Sequence, residues 1–384
     1  MRSPELSEVC ETLCAMTTDL LTALQAANAF EAAPVLCDLH ELHVPFDELG
    51  ALDPPVDGAW ESALDAALRR GERVAVLGAS GEGKSSLMQY VLRPMAEGLF
   101  PLPVPVALAD PSVVSDPIAF ATHVVGMIER HILRSLPSRA GGIGLAPGLP
   151  VARSYKWSVA PELMGIKLEV AREVQAVVEE SPRTGAEAVG TAQLLLEVIG
   201  RAGLAATLVL DDTDKWVRGP SGHVDADRRD DFFGTILRVI AEYLGCAAAV
   251  AVHRSYTADD AYRAAVGGFL SGVVDLPRLS GPAAVARVLE HRQRVVQEPG
   301  VLGEPVEAVW EPEALDELYT RYAGDGRSLR QLVQLAHLSL ALACDAAAPR
   351  IGPRHVEAAV REMAPSQESA ASQESAGSQE SAPS

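Results

Sequence analysis

An apolar run that ends in a glycine-rich turn, a lysine and two serines, Arg73 to Leu87 (RVAVLGASGEGKSSL), constrains this chain more than any other stretch. Val74, Ala75, Val76 and Leu77 read as a strand buried on both faces, and Ser86 to Leu92 as a helix stopped by Pro94. Between them Gly78, Gly81 and Gly83 let the backbone turn tightly and aim successive N–H groups inward. The first turn of the helix adds its own unpaired N–H groups and a positive dipole end. Such a cradle suits an anion. Lys84 can reach the β- and γ-phosphates of a nucleotide, and the Ser85 hydroxyl can take one coordination position on Mg²⁺. The spacing Gly78-x4-Gly83-Lys84-Ser85 fits the Walker A pattern in full. The expected nucleotide-binding residues are therefore Gly78, Ala79, Ser80, Gly81, Glu82, Gly83, Lys84, Ser85 and Ser86, with ATP and Mg²⁺ as the expected cofactors.

A second chemical signal is Ala205 to Asp212 (AATLVLDD), another continuously apolar strand, this one ending in acids. Placed beside the phosphate-loop strand, its Asp211 would reach the water shell of the metal ion that Ser85 holds, and Asp212 would polarise the attacking water. Asp214 and Lys215 are assigned to the loop that follows. Pro103 to Asp110 reads as a further apolar strand, Cys246 to Val252 as a fourth, ending in His253-Arg254-Ser255, and Val273 to Leu276 as a short fifth. Helices are expected over Trp60 to Arg70, Pro117 to Leu136 and Ala186 to Arg201. A hairpin insertion is expected at about 137–186. The fold class is thus α/β, a P-loop NTPase with a five-stranded parallel sheet.

Around that domain, about 46–279, lie segments of different character. Residues 1–45 carry Leu13, Met16, Leu20 and Leu24 at helical spacing, the stripe of an amphipathic helix that packs on its own ATPase domain or docks a partner. From about 280 to 364 the pattern is helical: Ser280-Gly-Pro opens one helix, and Pro312 to Tyr322, Ser328 to Cys344 and Pro353 to Met363 supply three more. The tail, 365–384, repeats SQESA and lacks aromatic or β-branched residues, so it should be disordered.

Composition bounds the partners. The net charge of −20 opposes direct attachment to nucleic acid, which depends on Lys and Arg displacing counterions. No run reaches the ~18 apolar residues of a membrane span, and the polar, acidic N-terminus differs from a signal peptide, so a cytoplasmic location is expected. Cys10, Cys14, Cys37, Cys246 and Cys344 are scattered and read as buried thiols.

The order of these elements resembles the AAA+ ATPases, and within them the initiator clade of the origin-recognition and replication-loader type. The resemblance covers about residues 45 to 363. It rests on GASGEGKS at Gly78 to Ser85, LVLDD at Leu208 to Asp212, the polar end of the fourth strand, and VVDLPRLSGPAAVARVLEHR from Val273 to Arg292. It continues with GDGRSLRQL from Gly324 to Leu332 and IGPRHVEAAV from Ile351 to Val360. It implies that the helical segment is an AAA+ lid, that His253 occupies the sensor-1 region, and that Arg327 is the sensor-2 arginine, with Arg330 as a second candidate. The sequence departs from the family in having Asp211-Asp212 instead of Asp-Glu. It also lacks an arginine just before the fifth strand, where Arg263 is a weak substitute for a finger, and carries SQESA repeats where a winged-helix domain is expected. The resemblance implies an ATPase that couples ATP binding and hydrolysis to lid motion and partner engagement. Its catalytic residues would be Lys84, Asp212, His253 and Arg327, and its metal residues Ser85 and Asp211. The alternative is a signalling switch or scaffold that binds ATP with little hydrolysis. A protein partner would dock on the N-terminal helices or the insertion, and self-association is compatible with the family.

Overall fold

The computed structural model describes residues 20–31, 40–50, 60–93, 98–105, 112–134, 173, 176–177, 187–218, 223–296, 305–324 and 328–363. They fall into two compact units, one drawn from Asp38–Asp47 and Ala51–Arg278, the other from Met1–Cys37, Glu48–Gly50 and Leu279–Ser384.

The first unit is built on five parallel strands, β1 (Arg73–Gly78), β2 (Leu99–Pro103), β3 (Ala205–Leu210), β4 (Ala247–His253) and β5 (Gly272–Asp275), in the order β2-β3-β4-β1-β5. The α/β class and the five-stranded parallel sheet of a P-loop NTPase are present as the sequence predicts. The strand order corrects one expectation. β3 does not lie beside β1, because β4 separates them: Arg73 to Gly78 pair with Ala248 to His253, and Thr207 to Leu210 pair with Ala247 to Val250. β4 is buried along Ala247 to Val252, and its alanines present little more than methyl groups to the elements packed on it. Two short, continuously apolar strands cannot be ordered by pattern alone.

A second correction concerns β2, which occupies Leu99–Pro103 and so begins before the expected Pro103, while 106–110 of the expected strand lie outside the described residues. Val104 still donates to the Val209 carbonyl at 2.9 Å, but Pro105 has no N–H with which to extend the ladder. The proposed insertion at 137–186, apart from residues 173, 176 and 177, lies outside the described residues, as does the tail at 365–384.

Helices Trp60–Arg69, Lys84–Val91, Pro117–Arg134 and Ala188–Arg201 accompany the sheet. Trp60, Leu64, Ala67 and Leu68 make one buried face at spacings of three and four, and the Trp60 indole donates to the Asp275 carbonyl at the end of β5 (2.8 Å). Between β3 and β4 runs a helix the sequence reading passes over. It begins at Ala226, capped by the Asp225 carboxylate on the Asp227 and Arg228 N–H groups, and continues through wider π-helical turns at Phe232–Ile236 and Val239–Leu244. Its buried Phe232, Phe233, Ile236, Ile240 and Leu244 recur at helical spacing, a signal that was available in the sequence. Phe232 packs on Trp216 with ring centroids 6.0 Å apart, and Phe233 on Tyr256 at 5.9 Å and Tyr262 at 5.5 Å. One aromatic cluster thereby anchors the chain just after β3 and the chain just after β4.

The second unit contains helices Pro282–Val296, Val306–Val309, Pro312–Gly324, Leu329–Asp345 and Pro353–Met363, together with a helix over residues 20–26. The short Val306–Val309 helix is additional to the four expected after residue 280. Ser328 begins Leu329–Asp345 with a capping box, its hydroxyl accepting from the Gln331 N–H while the Gln331 side chain accepts from the Ser328 N–H. Phe30 packs edge-on against the buried Trp310 at 5.7 Å, and the Arg292 guanidinium donates to the Glu31 carbonyl at 2.8 Å. Residues 20–31 are thus held by this helical unit, whereas His43, in the same N-terminal segment, pairs with Glu61 of the sheet unit at 2.7 Å.

Candidate phosphate-loop site

The candidate residues gather at the carboxyl ends of β1, β3 and β4, the edge where parallel sheets place ligands. The loop after β1 turns through Gly81 (φ 80°) and Gly83 (φ 98°), left-handed positions that only glycine takes without strain. Gly78 is closely packed by its neighbours. A Cβ there would come within 3.2 Å of a Glu82 carboxylate oxygen and 3.3 Å of the Lys84 side chain. Lys84 opens the helix, and its ammonium turns back to donate to the Gly78 and Ala79 carbonyls at 2.8 and 2.9 Å. Burial lowers the Lys84 pKa from the ordinary lysine value, while the charges of Asp214, Glu82, Asp211 and Asp212, in that order, act to raise it.

Ser85 and Asp211 meet. The Ser85 hydroxyl donates to Asp211 Oδ1 at 2.9 Å, across the full width of β4 from the loop's parent strand. Asp211 Oδ1 also accepts the Asp212 N–H at 2.8 Å. The pair supplies one hydroxyl and one carboxylate, hard oxygen donors that suit Mg²⁺ and leave its remaining positions to water and phosphate. Among the described residues no cluster of three or more His, Cys, Asp or Glu is arranged to hold a metal ion by itself.

The other acids diverge. Asp212 has a left-handed backbone (φ 52°), and its half-exposed carboxylate pairs with the Lys215 ammonium at 2.6 Å. Asp214, assigned from sequence to a mere connecting loop, lies on a tight turn over Thr213–Lys215 and has one carboxylate oxygen, Oδ1, buried. The buried Thr213 hydroxyl donates to the Ala251 carbonyl of β4 and fixes that turn. His253 lies opposite Gly78 in register, immediately beside the loop. Its Nδ1 accepts the Ser255 N–H at 3.1 Å and so caps the turn Arg254–Ala258, which leaves Nε2 to carry the proton of the neutral ring.

Three further residues shape this edge and were not singled out from the sequence in these roles. Glu82 is only 8% exposed, and its carboxylate accepts the Ala79 N–H at 2.7 Å. The Arg254 guanidinium lies 3.8 Å from Glu82 and donates to the Asp275 carboxylate at 2.6 Å and the Leu276 carbonyl at 2.8 Å. Arg278 stands 4.0 Å from Glu82. Nothing in the local sequence pattern announces this convergence, because Arg254 and Arg278 follow different strands.

No family model matches the sequence, and no curated protein matches it. Solved structures do. The Aeropyrum pernix ORC2 protein with ADPNP and ADP is 16% identical, with a TM-score of 0.47 over 85% of this chain and 72% of that one. The Aeropyrum pernix ORC1 protein in complex with DNA is 16% identical, with a TM-score of 0.45 over 85% and 69%. Cdc6p from Pyrobaculum aerophilum is 16% identical, with a TM-score of 0.44 over 80% and 68%. These are proteins of the initiator group that the sequence motifs resemble.

Arg327 lies outside the described residues. Arg330 is exposed on the first turn of Leu329–Asp345 in the helical unit. Arg263 is tied to its own neighbourhood, donating to the Ala258 carbonyl at 2.6 Å and pairing with Asp260 at 3.2 Å. Among the described residues no helix is long and apolar enough to cross a membrane.

Proposed function

We propose that this protein is an AAA+-type ATPase that binds Mg·ATP at the Gly78–Ser86 loop and couples hydrolysis to movement of its helical unit and engagement of a partner. The observation that carries this reading is the 2.9 Å hydrogen bond from Ser85 to Asp211. It brings together the two side chains, 126 residues apart in sequence, that a phosphate-loop ATPase needs at one metal position. The loop N–H groups and the helix start cradle the phosphates, and Lys84 exchanges its carbonyl contacts for the β- and γ-phosphate oxygens. Ser85 and Asp211 would hold Mg²⁺, which supplies charge neutralisation on those oxygens. His253, with Nε2–H as a donor, reports the phosphate state from the end of β4, and Arg327 serves as the sensor-2 arginine of the helical unit. The sequence assigns the attacking water to Asp212.

With a net charge of −20 the partner is a protein and not bare nucleic acid, recruited through the N-terminal helices or the 137–186 segment, in the cytoplasm. A second reading, an ATP-binding switch with little turnover, is favoured by one observation: the Asp212 carboxylate is held by Lys215. Calorimetry and phosphate release test both. Mg·ATP should bind wild type and not Lys84→Ala, and equal affinity for the two proteins refutes the site. Turnover at the Lys84→Ala background selects the switch.

A further inference from the structure

After β5 the chain passes from the sheet unit into the helical unit, Arg278 being the last residue of the first and Leu279 the next of the second. The residues just before that point are fastened to the phosphate loop. Leu276 is 2% exposed and donates its N–H to the Leu77 carbonyl at 2.9 Å, and a Cβ on Gly78 would come within 3.3 Å of its Cδ1. One side chain from a different strand spans the same gap. Arg254 Nη2 donates to Asp275 Oδ1 at 2.6 Å and to the Leu276 carbonyl at 2.8 Å. That nitrogen also stands 3.8 Å from Glu82 Oε2, the oxygen that accepts the Ala79 N–H at 2.7 Å.

This bridge is made on the Asp275–Leu276 side and open on the loop side. A separation of 3.8 Å is an ion pair beyond hydrogen-bond reach. Arg254 Nε is buried and has no hydrogen-bond partner among the described residues. A buried donor left unmade costs free energy, so an arrangement that brings an acceptor closer to this guanidinium is favoured. The loop supplies the means. Lys84 donates to the Gly78 and Ala79 carbonyls, and those are the contacts it gives up for phosphate oxygens in the proposed complex. Gly78 is the residue on which Leu276 packs, and Ala79 the one whose N–H Glu82 accepts. Phosphate binding therefore acts on the two loop residues that touch the bridge.

We infer that Arg254 is a positioning residue that passes nucleotide occupancy from the phosphate loop to the Asp275–Arg278 segment. With Mg·ATP bound, the Glu82 carboxylate closes on the guanidinium, and the Asp275 and Leu276 acceptors are held more firmly through it. A ligand shifts such an equilibrium only by contacts that differ between the two states, and the Glu82–Arg254 contact is the one that differs. Arg254 itself meets no reacting atom. This deepens the ATPase reading, by naming how the site acts on the start of the helical unit, and rests on it.

The test is hydrogen exchange on the full chain, with and without Mg²⁺ and a non-hydrolysable ATP analogue at a saturation set by calorimetry. Two peptides are read, one over Gly78–Ser86 and one over Gly272–Ser280. In wild type both should slow on binding, the second by about fivefold or more, the lower end of ordinary coupling between sites. Arg254→Ala should still bind the analogue and slow the first peptide, while the slowing of the second falls below about twofold. A merely structural role would change the two peptides alike. Asp275→Asn removes the charge from one of the two acceptors and should give an intermediate slowing. Undiminished slowing of the second peptide in Arg254→Ala overturns the inference, and so does loss of analogue binding in that variant, which would make Arg254 part of the cradle. Should Arg254→Ala fail to fold, Asp275→Asn decides: reduced slowing supports the bridge and slowing equal to wild type refutes it. Wild type that binds the analogue with no response in the second peptide refutes this inference and leaves the nucleotide site standing. Wild type that binds no analogue removes the underlying reading as well.

Discussion

Glu82 offers a quantitative test of how the phosphate loop is held. Its carboxylate is 8% exposed and accepts the Ala79 N–H at 2.7 Å, a hydrogen bond of the charge-assisted kind worth about 1.5–3 kcal/mol. Arg254 and Arg278 approach at 3.8 and 4.0 Å, but they are 35% and 56% exposed, so together they add less than about 1 kcal/mol. Removing the carboxylate relieves a buried charge and offsets part of the loss. Glu82→Ala should therefore lower stability by about 2 kcal/mol, which for a unit of this size is a drop of roughly 4–8 °C in melting temperature. Glu82→Gln keeps an acceptor for the Ala79 N–H and should cost about half as much. ATP should bind both variants at least as tightly as wild type, since one of the negative charges acting on Lys84 is gone. Thermal and urea unfolding measure the first effect and calorimetry the second. A melting temperature for Glu82→Ala within about 1 °C of wild type, where ~2 kcal/mol is expected, refutes the idea that this side chain braces the loop.

Three other perturbations are equally direct. Trp216→Ala removes a fully buried ring behind the Asp211–Lys215 segment, and should cost about 3–5 kcal/mol in chemical unfolding and reduce turnover even in the folded fraction. Burial pushes the Cys246 thiol up to about 12, so at pH 8 maleimide should leave it unmodified in the native protein and label it only after denaturation, as read by mass spectrometry of its peptide. His355 is held below the ordinary histidine pKa by burial and by the Arg354 charge, against the opposing charge of Glu311, and its Nδ1 accepts the Gly352 N–H at 2.9 Å. A base depressed in the folded state takes up its proton first when unfolded, so stability should fall as pH drops through about 6.5. His355→Asn, which keeps an acceptor, should show a smaller fall, and an unchanged pH slope in melting refutes the assignment.

The phosphate loop was legible because its chemistry is local: glycine, lysine and serine must stand at fixed spacing for the backbone to surround a phosphate. The partner acid was legible for the same reason, since Asp211 directly follows an apolar strand. What failed was relational. β3 and β4 are both short and continuously apolar, and the pairing that puts β4 between β1 and β3 is decided by tertiary packing that no local window contains. Asp212 and Asp214 are nearly adjacent, and how each carboxylate is held, Asp212 by Lys215 and Asp214 with Oδ1 buried, depends on a single left-handed residue and the tight turn after it. The helix from Ala226 to Leu244 is a different case. Its i, i+4 pattern was present, but its polar first turn, Ala226 to Asp231, has no buried residue to mark the beginning. The Glu82, Arg254 and Arg278 convergence gathers residues 82, 254 and 278, and only the strand order brings those together.

The left-handed backbone at Asp212 bears on the sequence itself. Asparagine, aspartate and glycine tolerate that conformation, whereas a longer unbranched side chain loses the local hydrogen bonding that offsets its strain. The second aspartate of the pair thus sits on a backbone that favours a short acid over a long one. Glutamate at 212 would add strain at a left-handed position, and a designer seeking a faster enzyme should expect to adjust the turn together with the letter.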